Sequence, residues 1–281
     1  MLVYSGDWVQ NAKHGESGTL YDETDGHKIY AGSFDNDCYV KGTLFFENGF
    51  PKYTGEFQAN LPEGSDGKLF TAEEENRVLQ EGEFIGSELN CSAGAKVYYD
   101  EQDGPVLYEG GYGNGAYQGV GVIYYRNGMK QTEGNFNDGN IIDNSGGYYY
   151  ETGVKMYEGN IVDGAFTGEN VTLYHENGSL KYQGPMENSQ QHGDPGKAYH
   201  PRGGDDDDDA GPKLKYEGGW KDGCYHGDAS VLYHENGNKA YEGPYVEGKQ
   251  NGRATKHYDE EGRLSYEGDV VDGLFEGLGK T

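Results

Sequence analysis

The sequence predicts an elongated all-β protein, built as an array of about eleven stacked β-hairpins. Three observations lead to this fold class. A motif of tyrosine, any residue, glycine, any residue and an aromatic or aliphatic residue recurs, and its eleven glycines lie 23 to 34 residues apart. Turn dipeptides separate the copies. The composition combines 49 glycines and 26 tyrosines with only 33% hydrophobic residues, which favours a thin aromatic sheet over a thick aliphatic core.

The repeated motif predicts the first strand of each hairpin. Side chains alternate across a strand, so Tyr53, Gly55 and Phe57 should share the packed face. We expect the glycine to leave room for a ring from a neighbouring strand. Gln80 and Thr132 replace the tyrosine in two degenerate copies. The nine tyrosine copies begin at Tyr4, Tyr30, Tyr53, Tyr108, Tyr157, Tyr182, Tyr216, Tyr241 and Tyr266.

Two kinds of turn connect the predicted strands. Asn-Gly closes segments such as Tyr174–Gly178 and Tyr233–Gly237, and Asp-Gly follows the motif, as at Asp222-Gly223. Both dipeptides suit a type I′ turn, in which both central residues have positive φ. The acidic segment Thr71–Arg77 replaces one Asn-Gly turn, and we interpret it as an enlarged loop rather than a helix.

Glutamates recur on the predicted outer face, between the tyrosine and the glycine of the motif. Seven of the eleven copies carry one, and successive copies should lie roughly 10 Å apart. The row is either a solvated polar face or a docking strip for a basic partner. The seven are Glu81, Glu109, Glu133, Glu158, Glu217, Glu242 and Glu267, of which Glu109, Glu158, Glu217, Glu242 and Glu267 are our candidate partner-binding residues.

One repeat is nine residues longer than its neighbours, and the excess falls in residues 201–212. This segment contains Asp205–Asp209 between glycines and prolines, so we interpret it as an acidic loop inserted within a repeat. It is either flexible decoration or a site that captures calcium or a basic partner. The rest of residues 1–281 forms a single repeat array.

The composition argues against several function classes. A net charge of −27 disfavours nucleic acid and anionic membranes and favours a basic protein partner. Three scattered cysteines form neither a disulfide framework nor a metal motif, which indicates a reducing compartment. We see no signal peptide and no membrane-spanning apolar segment, so we expect a cytoplasmic protein.

The sequence offers no catalytic, cofactor-binding or metal-binding constellation. Gly277–Thr281 imitates the end of a phosphate-binding loop, but Leu274 stands where that loop needs glycine. The histidines occupy aligned positions in different repeats, which indicates a structural role and not the convergent ligands of a zinc site. We therefore expect no enzyme activity, cofactor or bound metal.

The repeats resemble the MORN family, in the variant in which a Glu-Asn-Gly turn precedes the tyrosine motif. The likeness covers essentially the whole chain and is clearest in Lys155–Gly159, Leu214–Gly223 and Lys239–Gly243. The resemblance implies a single twisted antiparallel sheet of stacked hairpins. It also implies protein interaction, as in scaffolds of cilia and the cell cortex or in bacterial antitoxin-like proteins. Some members have been linked to phosphoinositides.

The C-terminal edge strand is a further candidate contact surface, because it begins the second strand of a repeat and then stops. Its apolar residues Leu274, Phe275 and Leu278 are flanked only by Glu276 and Lys280. Open sheet edges are usually covered or charged. We expect this edge to pair with the same strand of a second copy, giving a homodimer, or with a strand of a different protein.

These observations predict a non-enzymatic protein–protein interaction scaffold, such as a structural component of a cytoskeletal or ciliary assembly. An alternative is a cytosolic antitoxin or immunity-type protein that neutralises a basic partner. A second alternative is a lipid-binding module that tethers a membrane.

Overall fold

The computed structural model describes residues 2–100, 104–143, 147–162, 164–203 and 211–280. Asp205–Asp209 lie outside these ranges, so the interpretation of residues 201–212 as an inserted loop stays a prediction. Every regular element in the described residues is a β-strand, and every strand pairing is antiparallel. The predicted all-β architecture of stacked hairpins is confirmed.

The strands belong to two compact units, residues 1–140 and 141–281. In the first unit each strand pairs with the next along the chain, and the short strand β8 precedes β9 on the same side of β7. Its strands are β1 Tyr4–Val9, β2 Ala12–Tyr21, β3 Lys28–Asp35, β4 Cys38–Phe45, β5 Pro51–Gln58, β6 Leu61–Phe70, β7 Val78–Ile85, β8 Glu88–Leu89, β9 Cys91–Tyr98, β10 Val106–Gly113, β11 Ala116–Tyr124 and β12 Lys130–Asn137.

The second unit repeats this meander, and several of its second strands are split in two by an irregularity near a glycine. Its strands are β13 Asn140–Asp143, β14 Tyr148–Tyr149, β15 Lys155–Val162, β16 Ala165–Tyr174, β17 Leu180–Glu187, β18 Gln190–Gln191, β19 Gly193–Tyr199, β20 Leu214–Lys221, β21 Cys224–Tyr225, β22 Gly227–Tyr233, β23 Lys239–Val246, β24 Lys249–Gln250, β25 Gly252–Tyr258, β26 Leu264–Val271 and β27 Leu274–Lys280.

The packed face carries the residues that strand alternation predicts. Tyr53, Gly55 and Phe57 are buried, whereas Lys52 and Thr54 are exposed. All nine motif tyrosines are buried, with at most 9% of their surface exposed. Because aromatic side chains bury large apolar areas, these rings supply most of the core of a sheet that has few aliphatic residues.

In the copies that contain the motif tyrosine, the ring that covers the motif glycine comes from the same strand, which corrects the expectation of a neighbouring strand. Tyr182 folds over Gly184 and donates a hydrogen bond from its hydroxyl to the carbonyl oxygen of Pro185, 2.8 Å away. The same bond, from the tyrosine to the third residue after it, occurs in all nine motif copies. The ring also lies on Gly196 of the paired strand, so both positions need small residues.

The rings of successive repeats contact one another edge to face. Phe57 lies 5.2 Å from Tyr53 of its own repeat and 5.3 Å from Tyr30 of the preceding repeat, between ring centroids. A second-strand aromatic completes the packing, as where Tyr39 stacks on Tyr30 at 4.0 Å. Such pairs contribute about 0.5–1.5 kcal/mol each beyond the area that they bury.

A cysteine replaces the missing tyrosine ring in the degenerate repeat that contains Gln80. Cys91 and Leu89 fill the space beside Gly82, and both are almost fully buried. The Cys91 sulfur accepts a hydrogen bond from the Glu83 amide at 2.8 Å, and its thiol points to the Glu83 carbonyl oxygen at 3.6 Å. Glu83 is the third residue after Gln80, so the thiol contacts the same backbone position that a motif tyrosine would reach.

The two turn types differ, contrary to the single type I′ geometry predicted from sequence. The Asp-Gly turns agree with it, since Asp222 and Gly223 have φ of 49° and 79°. In the Asn-Gly turns only the glycine has positive φ, 84° at Gly178. The asparagine is used differently there: Asn177 accepts a bond from the Ser179 amide and donates one to the Arg202 carbonyl oxygen of the next repeat.

Residues 71–77 form a loop without helix, as predicted. The Thr71 amide donates to the Arg77 carbonyl oxygen at 3.0 Å, which closes the base of the loop. Arg77 leaves only 10% of its side chain exposed and reaches Asp100 at 2.6 Å and the Thr71 hydroxyl at 3.2 Å. A buried guanidinium with several oxygen partners fixes this loop against the sheet.

Candidate functional site

The face of the sheet opposite the buried rings carries tyrosines as well as glutamates. The glutamates come from first strands, and the tyrosines come from the last residue of second strands. We call this surface the Tyr–Glu face in each unit. In the first unit its members are Glu81, Glu109, Glu133, Tyr98 and Tyr124, and in the second they are Glu158, Glu217, Glu242, Glu267, Tyr174, Tyr199, Tyr233 and Tyr258.

Hydrogen bonds join the two sets of side chains. The Tyr98 hydroxyl donates to Glu81 at 2.9 Å, and the Tyr174 hydroxyl donates to Glu158 at 3.2 Å. Tyr199 makes the equivalent bond to the amide oxygen of Gln183 at 3.1 Å. All three rings are partly buried, so the face combines fixed aromatic surface with carboxylates.

Tyr258 and Glu242 form the shortest of these hydrogen bonds. The Tyr258 hydroxyl donates to Glu242 at 2.5 Å, and this bond, together with burial and the nearby negative charge, raises the pKa of Tyr258 to about 12. The Lys239 amine and the Tyr258 hydroxyl both hold the pKa of Glu242 below its ordinary value. Glu242 therefore stays ionised but has two partners already.

Lysines of the second strands lie between the glutamates of the first strands. The face therefore carries both charges, whereas the first-strand motif alone predicts a row of carboxylates. Lys197 lies opposite Glu217 with 3.1 Å between amine and carboxylate, and Lys256 lies between Glu242 and Glu267 on adjacent strands. Glu109 has Lys96 on one side and Val122 on the other. The middle of the face is thus mixed in charge.

Glu158 is more open than Glu217 and Glu242. Its side chain is 59% exposed, against 40% for Glu217 and 30% for Glu242. It lies opposite Thr172, and the nearest lysine amine, that of Lys155, is 3.9 Å away. This carboxylate is the best placed of the three to receive a cation from outside.

The Tyr–Glu face of the first unit has a depression beside the loop of residues 71–77. Its volume is about 610 Å³. Four carboxylates line it, from Glu73, Glu74, Glu75 and Glu81, against the two cations Lys68 and Arg77, with the Tyr98 ring at its wall. A partner's lysine or arginine entering here would meet a net negative surface, four carboxylates against two cations.

The predicted edge residues do not form one patch. Leu274, Phe275 and Leu278 are 69%, 58% and 100% exposed on β27. Leu61 corresponds to Leu274 in another repeat and is 51% exposed, and Val120 corresponds to Leu278 and is 76% exposed. The exposure of Leu274 and Leu278 is therefore ordinary for this fold. Phe275 stacks on Tyr266 at 3.8 Å and contacts the His257 ring at 5.0 Å between centroids, but it is more exposed than Tyr39 or Tyr117, which stack in the same way in other repeats.

The tyrosines of this face were not predicted from sequence. Tyr174 and Tyr233 precede the Asn-Gly turns in the sequence, but we predicted no face for them. Strand alternation was the signal that could have predicted their face. Leu232 pairs with the buried Tyr241, so Tyr233, one residue later, lies on the opposite face of the sheet. Placing Tyr233 beside a particular glutamate also required the cross-strand register, which shifts at irregularities within each hairpin.

Asp22, Asp25 and His27 are the described residues whose side-chain atoms lie close enough together to hold a metal ion. Their oxygens are already used in local bonds, since Asp25 accepts from the His27 ring at 2.6 Å and Asp22 accepts from the Thr24 amide at 2.7 Å. This is the arrangement of a polar turn. Among the described residues no helix has the length and hydropathy needed to cross a bilayer.

Comparison with known proteins agrees with the repeat geometry. The family model of the MORN repeat matches residues 4–16, 53–65, 108–130 and 266–281, which include the motif strands β1, β5, β10 and β26. No curated protein matches the chain. MORN repeats are commonly modules for interaction with proteins or membranes and are generally non-enzymatic. With its buried Tyr-x-Gly strands and stacked hairpins, the chain carries MORN repeats in these four segments.

Proposed function

We propose that this protein is a non-enzymatic scaffold that holds a basic segment of a partner protein against the Tyr–Glu face. The observation that carries the proposal is the joint placement of partly buried tyrosines and ionised carboxylates on a surface that the fold does not use for its own core. Tyrosine is enriched in protein interfaces because it gives large contact area with few rotatable bonds.

The charge distribution supports a basic partner. The whole chain carries −27, which attracts cationic segments over a distance set by the ionic strength. An exposed ion pair contributes only about 0–1 kcal/mol, so a single glutamate would not hold a partner. Several lysines or arginines along one segment are needed, with at least one entering the depression lined by Glu74 and Glu81.

The cellular setting in the proposal is a cytoplasmic cytoskeletal or ciliary assembly, in which a repeat array positions other components. The chemistry of the same face also suits an antitoxin or immunity-type protein that neutralises a basic toxin. A lipid-tethering role has less support, because the net charge of −27 opposes anionic headgroups.

The experiment is a binding titration of a fluorescent lysine-rich peptide, followed by anisotropy at low and physiological salt. A glutamate-rich peptide of the same length is the negative probe. Glu74→Gln/Glu75→Gln tests the depression and Glu158→Gln/Glu217→Gln tests the second unit. Glu23→Gln/Glu47→Gln is the matched control, since it removes two charges from turns outside the Tyr–Glu face.

We expect the depression variant to weaken binding about tenfold, equivalent to roughly 1.4 kcal/mol, and the control to change it much less. An equal loss in the control would mean that bulk charge, and not this face, attracts the peptide. Binding to phosphatidylserine vesicles in preference to the lysine-rich peptide would contradict the proposal in favour of a lipid module.

A further inference from the structure

The repeat that contains Gln80 lacks both an inner and an outer aromatic ring on the packed face. Gln80 stands at the position of the motif tyrosine, and Leu89 stands at the position where, in another repeat, Tyr39 stacks on its motif tyrosine at 4.0 Å. Leu89 and Cys91 occupy the inner position: a Cβ at Gly82 would lie 2.7 Å from the Cys91 sulfur and 3.2 Å from a Leu89 methyl carbon. The outer position of this repeat therefore holds no ring.

The missing rings leave Tyr112, the first-strand aromatic residue of the next repeat, without its usual cover. Tyr112 is partly exposed, and among the described residues it has one aromatic neighbour, Tyr117 of its own repeat at 6.0 Å. Four residues at the same position in other repeats of the first unit are at most 8% exposed. Each contacts the motif tyrosine of the repeat before it edge to face, with ring centroids 5.1 to 5.6 Å apart. These four are Phe34, Phe57, Phe84 and Phe136.

A depression of about 380 Å³ lies between Tyr112 and the Gln80 repeat. Its lining combines apolar side chains with uncharged polar groups and one carboxylate, which is exposed. The lining residues are Leu89, Tyr112, Gln80, Ser87, Asn114, Gly115 and Glu88. Concave sites of this kind, apolar with a few polar groups that fix orientation, are typical of ligand pockets. The depression belongs to the packed face and is separate from the Tyr–Glu face.

We propose that this depression binds a tyrosine side chain of a partner protein, with a lysine or arginine next to that tyrosine in the partner's sequence. The ring takes the place that motif tyrosines fill in other repeats and contacts Tyr112 edge to face. The amides of Gln80 and Asn114 can each donate to or accept from the phenol hydroxyl. Glu88 is the one charged group of the lining, so its charge complements a cation beside the ring.

Two unlabelled peptides test this site, because a fluorescent dye is itself an aromatic ligand. One has a tyrosine between two lysines and blocked ends, and in the other alanine replaces the tyrosine, so the charge is the same. Nuclear magnetic resonance of isotope-labelled protein gives both dissociation constants. Tyr112→Leu removes the aromatic wall, and Gln80→Phe fills the depression from the motif position. Tyr39→Leu is the matched control, since it replaces a partly exposed tyrosine on the same face of another repeat.

The unmodified protein and Tyr39→Leu should bind the tyrosine peptide about fivefold more tightly than the alanine peptide. Tyr112→Leu and Gln80→Phe should bind both peptides equally, and thermal melting checks that each variant is folded. In the unmodified protein, amide resonances of residues 87–89 and 112–115 should shift with the tyrosine peptide and not with the alanine peptide.

Three outcomes overturn the proposal: equal affinities of the unmodified protein for the two peptides, a preference for tyrosine that survives in both folded variants, or unshifted resonances in these two segments. The last outcome decides the matter even if neither variant folds. The alanine peptide reports on the Tyr–Glu face separately, because it keeps both lysines and lacks the ring. Failure of this site therefore differs from failure of the proposed basic-segment binding.

Discussion

The Tyr216 hydroxyl donates a hydrogen bond to the carbonyl oxygen of Gly219 at 2.8 Å, across the intervening Gly218. The ring between these two ends lies on Gly218 and on Ser230 of the paired strand. One side chain thereby covers two backbone positions and satisfies a carbonyl group at an irregularity of the strand. This relationship explains why the motif requires tyrosine and glycine together, and it leads to the first two predictions.

Gly159→Val should destabilise the protein much more than Glu158→Val. A Cβ at Gly159 would lie 2.6 Å from the Tyr157 hydroxyl and 3.0 Å from a methyl group of Val171, so the ring has to move. We expect a cost of about 1–3 kcal/mol from overpacking. Glu158 is exposed, and its replacement should change stability by at most about 0.5 kcal/mol.

Denaturant titration of both variants measures this difference. Equal losses of stability would show that the packed and open faces of the sheet have been assigned the wrong way round.

Tyr216→Phe should lower stability by about 1–3 kcal/mol, because the buried Gly219 carbonyl oxygen loses its donor and the Ser230 hydroxyl loses its acceptor while the ring remains. Tyr112→Phe is the control, since its hydroxyl bonds to Gly115 at an exposed turn and water can replace it. Thermal unfolding of the two variants gives the comparison. A loss in Tyr112→Phe as large as that in Tyr216→Phe would contradict the role of burial.

The alternation of side chains between the two faces of a strand could be predicted from the sequence. The contacts between side chains and the register between strands could not. The face of Tyr53, Gly55 and Phe57 followed from a period of two and is correct. The position of the Tyr182 ring over Gly184 could not be deduced, because a side chain's rotamer depends on what surrounds it. The type I′ geometry predicted for the Asn-Gly turns was wrong for a related reason. The dipeptide fits several loop lengths, and Asn177 is held by a contact to the following repeat.

The candidate site shows the same limit. The positions of Glu217 and Glu242 on one face were predictable from the motif, and their neighbours Lys197 and Lys256 were not. Those lysines lie on second strands, whose register against the first strands changes at irregularities, between Gly193 and Gly196 in β19 and between Gly252 and Thr255 in β25. The first-strand motif does not show these shifts. The charge of the face therefore became clear only when both strands of each hairpin were placed.

Cys91 should react with a thiol reagent far more slowly than Cys38 and Cys224. Cys91 is buried, and burial raises the pKa of its thiol, so little thiolate is present at neutral pH. Cys38 and Cys224 are exposed. Titration with a chromogenic disulfide should give two fast equivalents and a third that appears only on unfolding. Three fast equivalents would show that residues 88–95 open readily.

The last prediction concerns alkaline pH. Burial raises the pKa of Tyr30, Tyr53 and Tyr108 to about 12 from an ordinary 10.0. Between these two values the unfolded chain has lost phenolic protons that the folded chain retains. The folded state is therefore favoured fully below pH 10 and loses that advantage as pH rises towards 12.

Ultraviolet absorbance of phenolate during a pH titration tests this prediction. The native protein should show tyrosines that ionise late, together with a fall in unfolding free energy above pH 10, and the protein in denaturant should titrate near 10 throughout. Tyr53→Phe should remove one late-titrating group. If native and denatured protein titrate together, the rings are not buried and the packing of the motif tyrosines is wrong.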